Sequence, residues 1–312
     1  MRRVLCMVFA LLLPFTGVLA EETPLGYFRQ GEALFPQAQY EEAIMLFEKA
    51  LAIEANYIPA LFNRAYCHAL LEQHEASIAD YSRVIDLDVT LVDAYLNRAK
   101  SYTALGDFES ALCDYDCALA MAPDNDIAHN DRGIMLCRLE RIEEAIEAFG
   151  KAIELNPSFA TAYNNRGNAL KEIGQVERGM QDYHTALELW PDFALAYYNI
   201  GVTQSAQKNY EDALQTLNIS IELDPYYADA HFARGIALQY LGRTLDAVLS
   251  YSAAIELNPA HTDAYFNRGN MFFALMQYKK AIEDYDKALA LQPDYAGVIG
   301  NRKIALQLLN GQ

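Results

Sequence analysis

The sequence predicts an all-α solenoid, a stack of copies of one helical unit. The first observation is a fixed period of 34 residues, because regular self-similarity at about 20–50 residues is typical of stacked repeats. It is set by six prolines: Pro123, Pro157, Pro191, Pro225, Pro259 and Pro293. The second is a pair of small-residue positions twelve residues apart in every unit, such as Gly167 and Gly179. The third is an aromatic residue four positions later, such as Tyr183, in seven of eight units.

These three positions explain how one unit packs on the next. Two helices approach closely only where the facing side chains are small, and the aromatic residue then fills the wedge between one pair and the next. Proline cannot continue a helix, so it ends the second helix and turns the chain into the next unit. Because a single pair cannot bury its apolar face, stability comes from contacts between neighbours.

The unit resembles the tetratricopeptide repeat (TPR) family. The copy that shows this best runs ATAYNNRGNAL over residues 160–170, turns at Gly174 and ends its second helix before Pro191. The resemblance implies a right-handed TPR superhelical solenoid of about eight helix-turn-helix repeats over residues 21–312, plus a C-terminal capping helix over 296–309. The repeats start at Pro24, Ile58, Val92, Asp126, Ala160, Ala194, Ala228 and Thr262.

The first twenty residues have a different character and predict a secretory signal peptide over residues 1–20. Arg2 and Arg3 precede an apolar run, and small residues stand before a cut ahead of Glu21. The run is too short for a confident membrane span. We therefore expect an exported protein, periplasmic or secreted, with no stable membrane insertion after cleavage. An uncleaved N-terminal anchor is the alternative.

Composition excludes several classes of function. The chain has a formal net charge of −18, and without Arg2 and Arg3 it retains 22 basic and 42 acidic residues. Nucleic-acid binders need a basic face, so no nucleic-acid partner is expected. The sequence has no glycine-rich phosphate loop, no nucleophile elbow and no histidine pair one turn apart. We therefore expect no enzyme, no catalytic residue, no cofactor and no metal site.

Cys113 and Cys117 stand one turn apart on the outer face of a second helix. Such a pair can bind a soft metal, form a strained local disulfide or cross-link two molecules. The simpler interpretation is that both are small residues on a helix, and their role is left open.

A row of arginines has matching aspartates sixteen residues later. Asp80, Asp114, Asp182 and Asp284 each follow an arginine of the same unit at that spacing. We predict that these are half-buried structural bridges within each repeat. The alternative is an arginine ladder that binds an anionic ligand. The full row is Arg64, Arg98, Arg132, Arg166, Arg234 and Arg268.

The TPR resemblance implies that first helices line a concave face and that positions beside the Asn-Arg pair look inward. The apolar candidates for partner binding are Phe28, Phe62, Tyr66, Leu96, Tyr198, Phe232 and Phe266. The polar candidates are Asn63, Asn97, Asn130, Asn164, Asn165, Asn168, Asn199, Asn267 and Asn270. Asparagine both donates and accepts hydrogen bonds, which suits the backbone of an extended peptide. The alternative for the aromatic residues is stacking between neighbouring first helices.

These features favour a non-enzymatic scaffold that binds a protein or peptide partner in the periplasm or cell envelope. One alternative is a hydrophobic small-molecule-binding accessory component of an envelope transporter. Another is a regulatory subunit of a cell-envelope enzyme. The sequence leaves the identity of the partner and the oligomeric state open.

Overall fold

The computed structural model describes residues 22–311, so the predicted signal peptide lies outside the described residues. Every regular element within that range is a helix, in agreement with the predicted all-α class. A short 3-10 turn, Phe35–Gln37, follows the first helix. The α-helices are α1 (Pro24–Glu32), α2 (Tyr40–Ile53), α3 (Ile58–Leu70), α4 (His74–Leu87), α5 (Val92–Ala104), α6 (Phe108–Met121), α7 (Asp126–Arg138), α8 (Ile142–Leu155), α9 (Ala160–Glu172), α10 (Val176–Leu189), α11 (Ala194–Ala206), α12 (Tyr210–Leu223), α13 (Ala228–Tyr240), α14 (Thr244–Leu257), α15 (Thr262–Ala274), α16 (Tyr278–Leu291) and α17 (Ala296–Asn310).

The helices fall into two compact units. The first unit ends at Pro123 and contains α1–α6, and the second begins at Asp124 and contains α7–α17. Within each unit successive helices pack in pairs, and each second helix also packs against the first helix of the following pair. The first helices begin at the eight residues from which the repeats are counted. Each of the six periodic prolines stands two residues beyond the end of a second helix.

The turn inside each pair is made by one residue in the left-handed backbone region. In every pair after the first, its N–H and that of the next residue bond back to the first helix, as in Gly174 N–H to Lys171 O at 3.0 Å and Gln175 N–H to Leu170 O at 2.8 Å. Glycine adopts this conformation at little cost, whereas other residues resist it. The eight residues also recur every 34 positions: Ala38, Glu72, Gly106, Glu140, Gly174, Lys208, Gly242 and Met276. Because five of the eight are not glycine, helix packing and not local preference must set the turn there.

The aromatic wedge residues lie in the core of each repeat, as predicted. Tyr81, Tyr183, Tyr251 and Tyr285 are fully buried. The contact with the first helix is close, since a Cβ added at Gly167 would lie 2.6 Å from Cε1 of Tyr183. The tyrosine ring therefore packs directly on the glycine backbone, which explains the small-residue position.

Gly179 makes an even more restrictive approach, and its replacement gives the first prediction. A Cβ at Gly179 would lie 2.7 Å from the backbone oxygen of Gly167, an atom that cannot rotate away. We expect Gly179→Ala to reduce the free energy of unfolding by about 1–3 kcal/mol despite the better helix propensity of alanine. Urea unfolding measures this. Gly300→Ala on α17 is the control, because no atom lies within 4 Å of that position; equal stability of the two variants would contradict the prediction.

The predicted arginine–aspartate bridges are present in four repeats. Arg166 donates from Nε and Nη2 to the two carboxylate oxygens of Asp182, at 2.8 Å each. The arginine side chains are 18–23% exposed and the aspartate side chains 4–11%. This two-pronged geometry occupies the guanidinium fork, so these four arginines are structural and do not form an open anion ladder. The other pairs are Arg64–Asp80, Arg98–Asp114 and Arg268–Asp284.

Candidate functional site

The nine predicted asparagine candidates form a row along the first helices, the asparagine row, and several of them join one first helix to the next. In the second unit Asn165 donates to Oδ1 of Asn130 at 3.0 Å, and Asn199 donates to Oδ1 of Asn164 at 2.8 Å. Asn301 of the last helix similarly donates to Asn270 at 2.8 Å. These residues are 31 or 35 positions apart in sequence. The predicted partner-binding amides are therefore used largely to hold neighbouring repeats together.

Burial limits what these amides can offer a partner. Asn130, Asn164 and Asn199 are buried. Asn168 and Asn270 are half-buried, and their Oδ1 atoms accept hydrogen bonds from the Tyr183 and Tyr285 hydroxyls at 2.6 and 2.8 Å. The remaining asparagines of the row are half-buried: Asn63, Asn97, Asn165 and Asn267.

Several aromatic candidates pack against the wedge aromatic on the second helix of their own repeat, a contact that differs from the stacking between neighbouring first helices raised as the alternative. The ring centroids of Phe62 and Tyr81 are 5.2 Å apart, and those of Phe266 and Tyr285 are 6.2 Å apart. Phe266 also meets Tyr295, at 5.1 Å, just before the next first helix. Phe28 is buried. The half-buried members are partly exposed: Phe62, Tyr66, Leu96, Tyr198, Phe232 and Phe266.

A cleft of about 110 Å³ opens between the first helices of the first unit. It contains three of the predicted partner-binding residues, Phe28, Phe62 and Asn63. Its other lining residues are Glu32, Ile58, Pro59, Leu91 and Asp93. The walls are mostly apolar, with two carboxylates and one amide beside them.

Sequence reasoning missed Ile58, Pro59, Leu91 and Asp93 as members of this cleft. The signal for Leu91 was present, since the position just before each first helix repeats every 34 residues and is mostly aromatic. Five of the nine such positions hold Tyr57, Phe159, Phe193, Tyr227 and Tyr295. Contacts such as Tyr198 with Tyr227 at 4.9 Å show that this position packs on the inward-facing residue of the preceding first helix.

The charge in the cleft comes from Glu32 and Asp93. Burial raises the pKa of Glu32, while a hydrogen bond from Asn63, at 3.5 Å, and the charge of Arg29 oppose that rise. No lysine or arginine is among the described residues that line the cleft. The arrangement suits an apolar side chain that carries, or stands next to, a positive charge.

The cysteines show no metal-binding arrangement within residues 22–311. Cys113 and Cys117 are both exposed on α6. Burial raises the pKa of Cys67 to about 12 and that of Cys137 to about 11, so both stay as thiols at neutral pH. No group of three or more His, Cys, Asp or Glu side chains in this range is placed to hold a metal ion. Nor does any helix in it have the length and apolar character needed to cross a bilayer.

The chain belongs to the tetratricopeptide repeat family. Models described as "Tetratricopeptide repeat" match residues 26–57, 58–88, 92–125, 194–227, 228–261 and 262–295. A model described as "TPR repeat" matches 133–174 and 167–208. Members of this family are generally protein- or peptide-binding scaffolds, which is the coarse function that the fold indicates.

Solved structures share this fold at low sequence identity. A chain of the APC/C hetero-tetramer Cut9–Hcn1 superposes with a TM-score of 0.67 at 14% identity, covering 90% of this chain and 55% of that one. Yeast Tom70 superposes with a TM-score of 0.63 at 16% identity, covering 92% of this chain and 61% of Tom70. MamA superposes with a TM-score of 0.52 at 21% identity, covering 55% of this chain and 93% of MamA. The chain thus spans little more than half of the Cut9–Hcn1 chain. A comparison with curated proteins gives no significant match.

Proposed function

We propose that this protein is a non-enzymatic scaffold that binds an extended segment of a protein partner on its first-helix face. The cleft between Phe28 and Phe62 is the observation that carries the proposal. It combines apolar walls with polar groups on the helices that family resemblance assigns to partner binding. An anchoring side chain of the partner occupies the cleft.

The size of the cleft favours a side chain over a free small molecule. Pockets for drug-sized ligands hold about 300–1,000 Å³, whereas this cleft holds about 110 Å³. One large apolar side chain is the better match. This argument favours the peptide scaffold over the hydrophobic-ligand accessory of a transporter.

The charge of the cleft specifies the neighbour of that side chain. Glu32 and Asp93 stand beside the apolar walls, and acidic residues outnumber basic residues in the whole chain. A lysine or arginine next to the anchor would meet complementary charge and would also be attracted at longer range. The proposed partner segment therefore carries a large apolar residue beside a basic one.

We place this scaffold outside the cytoplasm, in the periplasm, the cell envelope or the medium. The support is the signal-peptide pattern of residues 1–20. N-terminal sequencing of the protein from its native host should give a start near Glu21. A protein extracted from membranes with Met1, Arg2 and Arg3 intact would contradict the export proposal and favour an anchor.

Selection from a random peptide library displayed on phage tests the binding function. Peptides recovered on the immobilised protein should share a large apolar residue next to lysine or arginine. Exchange of that basic residue for glutamate should abolish binding of a selected peptide. Recovery of no peptide above background, or equal binding of the glutamate peptides, would refute the proposed recognition.

A further inference from the structure

The seventh repeat departs from the arginine–aspartate pattern of the second, third, fifth and eighth repeats. Arg234 occupies the position of Arg166, but Ser250 stands where Asp182 stands in the fifth repeat. Arg234 donates from Nε to Ser250 Oγ at 3.0 Å and from Nη1 to Asn218 Oδ1 at 3.4 Å, and its Nη2 lies 3.5 Å from Nδ1 of His231. None of these three groups is a carboxylate, so this half-buried guanidinium lacks the anion that its counterparts bind.

The electrostatic difference between these arginines follows from that substitution. The hydrogen bond to Asp182 raises the pKa of Arg166, whereas burial lowers the pKa of Arg234, with a partial opposing effect from the charge of Asp246. Asp246 itself is bound to Arg243, with Nη2 and Oδ2 2.7 Å apart. A buried cation without a matched anion is costly, so the site favours any anion that can reach it.

Space for such an anion is present beside Arg234. A cavity of about 230 Å³ lies between α12 and α14, over α13, entirely within the second unit. Its polar lining consists of Arg234, Asn218, Ser250 and the Arg243–Asp246 ion pair, in which Arg243 balances the charge of the Asp246 carboxylate. Leu214, Leu238 and Leu249 supply the apolar lining.

The surface beside the cavity is apolar where the other repeats are charged. Leu245 and Leu249 on α14 are 65% and 68% exposed. The other seven repeats have a charged residue at the position of Leu245: Glu41, Glu75, Glu109, Glu143, Glu177, Glu211 and Lys279. Adjacent exposed leucines of this kind mark an interaction surface more often than isolated ones do.

We propose that the cavity of the seventh repeat is a second docking site, which binds a carboxylate side chain from an apolar, acidic segment of a partner protein. The carboxylate takes the place that Asp182 fills in the fifth repeat and accepts two hydrogen bonds from Arg234. The Ser250 hydroxyl can rotate to donate a third. Leucines of the partner on either side of the acidic residue cover Leu245 and Leu249. This site uses the second-helix side and is independent of the cleft at Phe62.

Two matched peptides test this proposal by fluorescence anisotropy with the full chain. One peptide has a Leu-Glu-Leu-Leu core and the other a Leu-Gln-Leu-Leu core, so they differ only in the carboxylate. We expect the glutamate peptide to bind at least tenfold more tightly, and sodium acetate to compete better than sodium chloride at equal ionic strength. Equal binding of the two peptides would overturn the proposal.

A pair of variants at one position identifies the site. Ser250→Asp supplies the missing carboxylate from within, so it should form the bridge seen in the fifth repeat, raise the melting temperature and abolish the preference for glutamate. Ser250→Ala keeps the cavity and Arg234 unfilled, so the preference should remain. Arg234→Gln provides a second route to the same loss of preference if Ser250→Asp misfolds. Persistence of the preference in both Ser250→Asp and Arg234→Gln would overturn the proposal.

Discussion

Arg166→Ala is expected to lower the free energy of unfolding by about 2–4 kcal/mol, the largest stability effect of any substitution considered. Asp182 is only 9% exposed and would lose both of its hydrogen bonds from the guanidinium. Removal of one member of a buried pair costs about 3–5 kcal/mol because the other charge stays behind unpaired, and the partial exposure of Arg166 reduces that figure. Urea unfolding at neutral pH, followed by circular dichroism, measures the loss.

Two comparisons separate the bridge from a general effect of losing arginine. Arg141→Ala removes an exposed partner of Glu144 in the same unit and should change stability little. The double variant Arg166→Ala/Asp182→Ala should be more stable than the two single effects added together, because it leaves no buried carboxylate. Equal small losses for Arg166→Ala and Arg141→Ala would show that the bridge is not structural.

Phe62→Ala is expected to weaken binding of a selected apolar–basic peptide by about 30-fold, the effect of removing an anchor contact worth about 2 kcal/mol. Phe62 lines the cleft and also packs on Tyr81, so the variant should lose stability as well. Leu61→Ala is the matched control, because Leu61 belongs to the same core cluster on α3 but does not line the cleft. Titration calorimetry should show near wild-type affinity for Leu61→Ala. An equal loss of affinity in the two variants would mean that destabilisation, and not the cleft, reduces binding.

The pH dependence of that binding follows from Glu32. Its charged form attracts the basic residue of the peptide, so affinity should fall as pH falls through the pKa of Glu32. Burial raises that pKa, and the loss should therefore begin at a higher pH than for a fully exposed glutamate. Glu32→Gln should weaken binding at neutral pH and flatten this part of the profile. An unchanged pH profile in Glu32→Gln would remove Glu32 from the recognition of the partner.

The hydrogen bonds between asparagines of neighbouring repeats give these predicted partner-binding residues a structural role as well. Asn165 and Asn199 give an amide hydrogen to the preceding first helix, so substitution there should affect the contact between repeats as well as any partner. Phe62, at the cleft, combines a packing contact with a surface that a partner can reach. It is therefore a better test of binding than the buried amides.

The repeated helix pair, the turns and prolines that bound its helices, the aromatic wedge and the arginine–aspartate bridges could all be predicted from the sequence. All of these depend on spacing inside one repeat, such as the twelve residues between Gly167 and Gly179 or the sixteen between Arg166 and Asp182. A fixed helix geometry converts such spacing directly into contact. Repetition of the same positions along the chain makes the pattern visible without any structure.

Tertiary structure alone decided which members of the predicted face are available to a partner. Asn164 and Asn165 are neighbours in sequence, yet Asn164 is buried and bonds to Asn199 of the next repeat, whereas Asn165 is half-buried and bonds to Asn130 of the preceding one. The cleft likewise combines Phe28, Phe62, Leu91 and Asp93 from three successive repeats. The shape of the gap between them depends on every side chain that fills it, so no single position in the 34-residue period encodes the site.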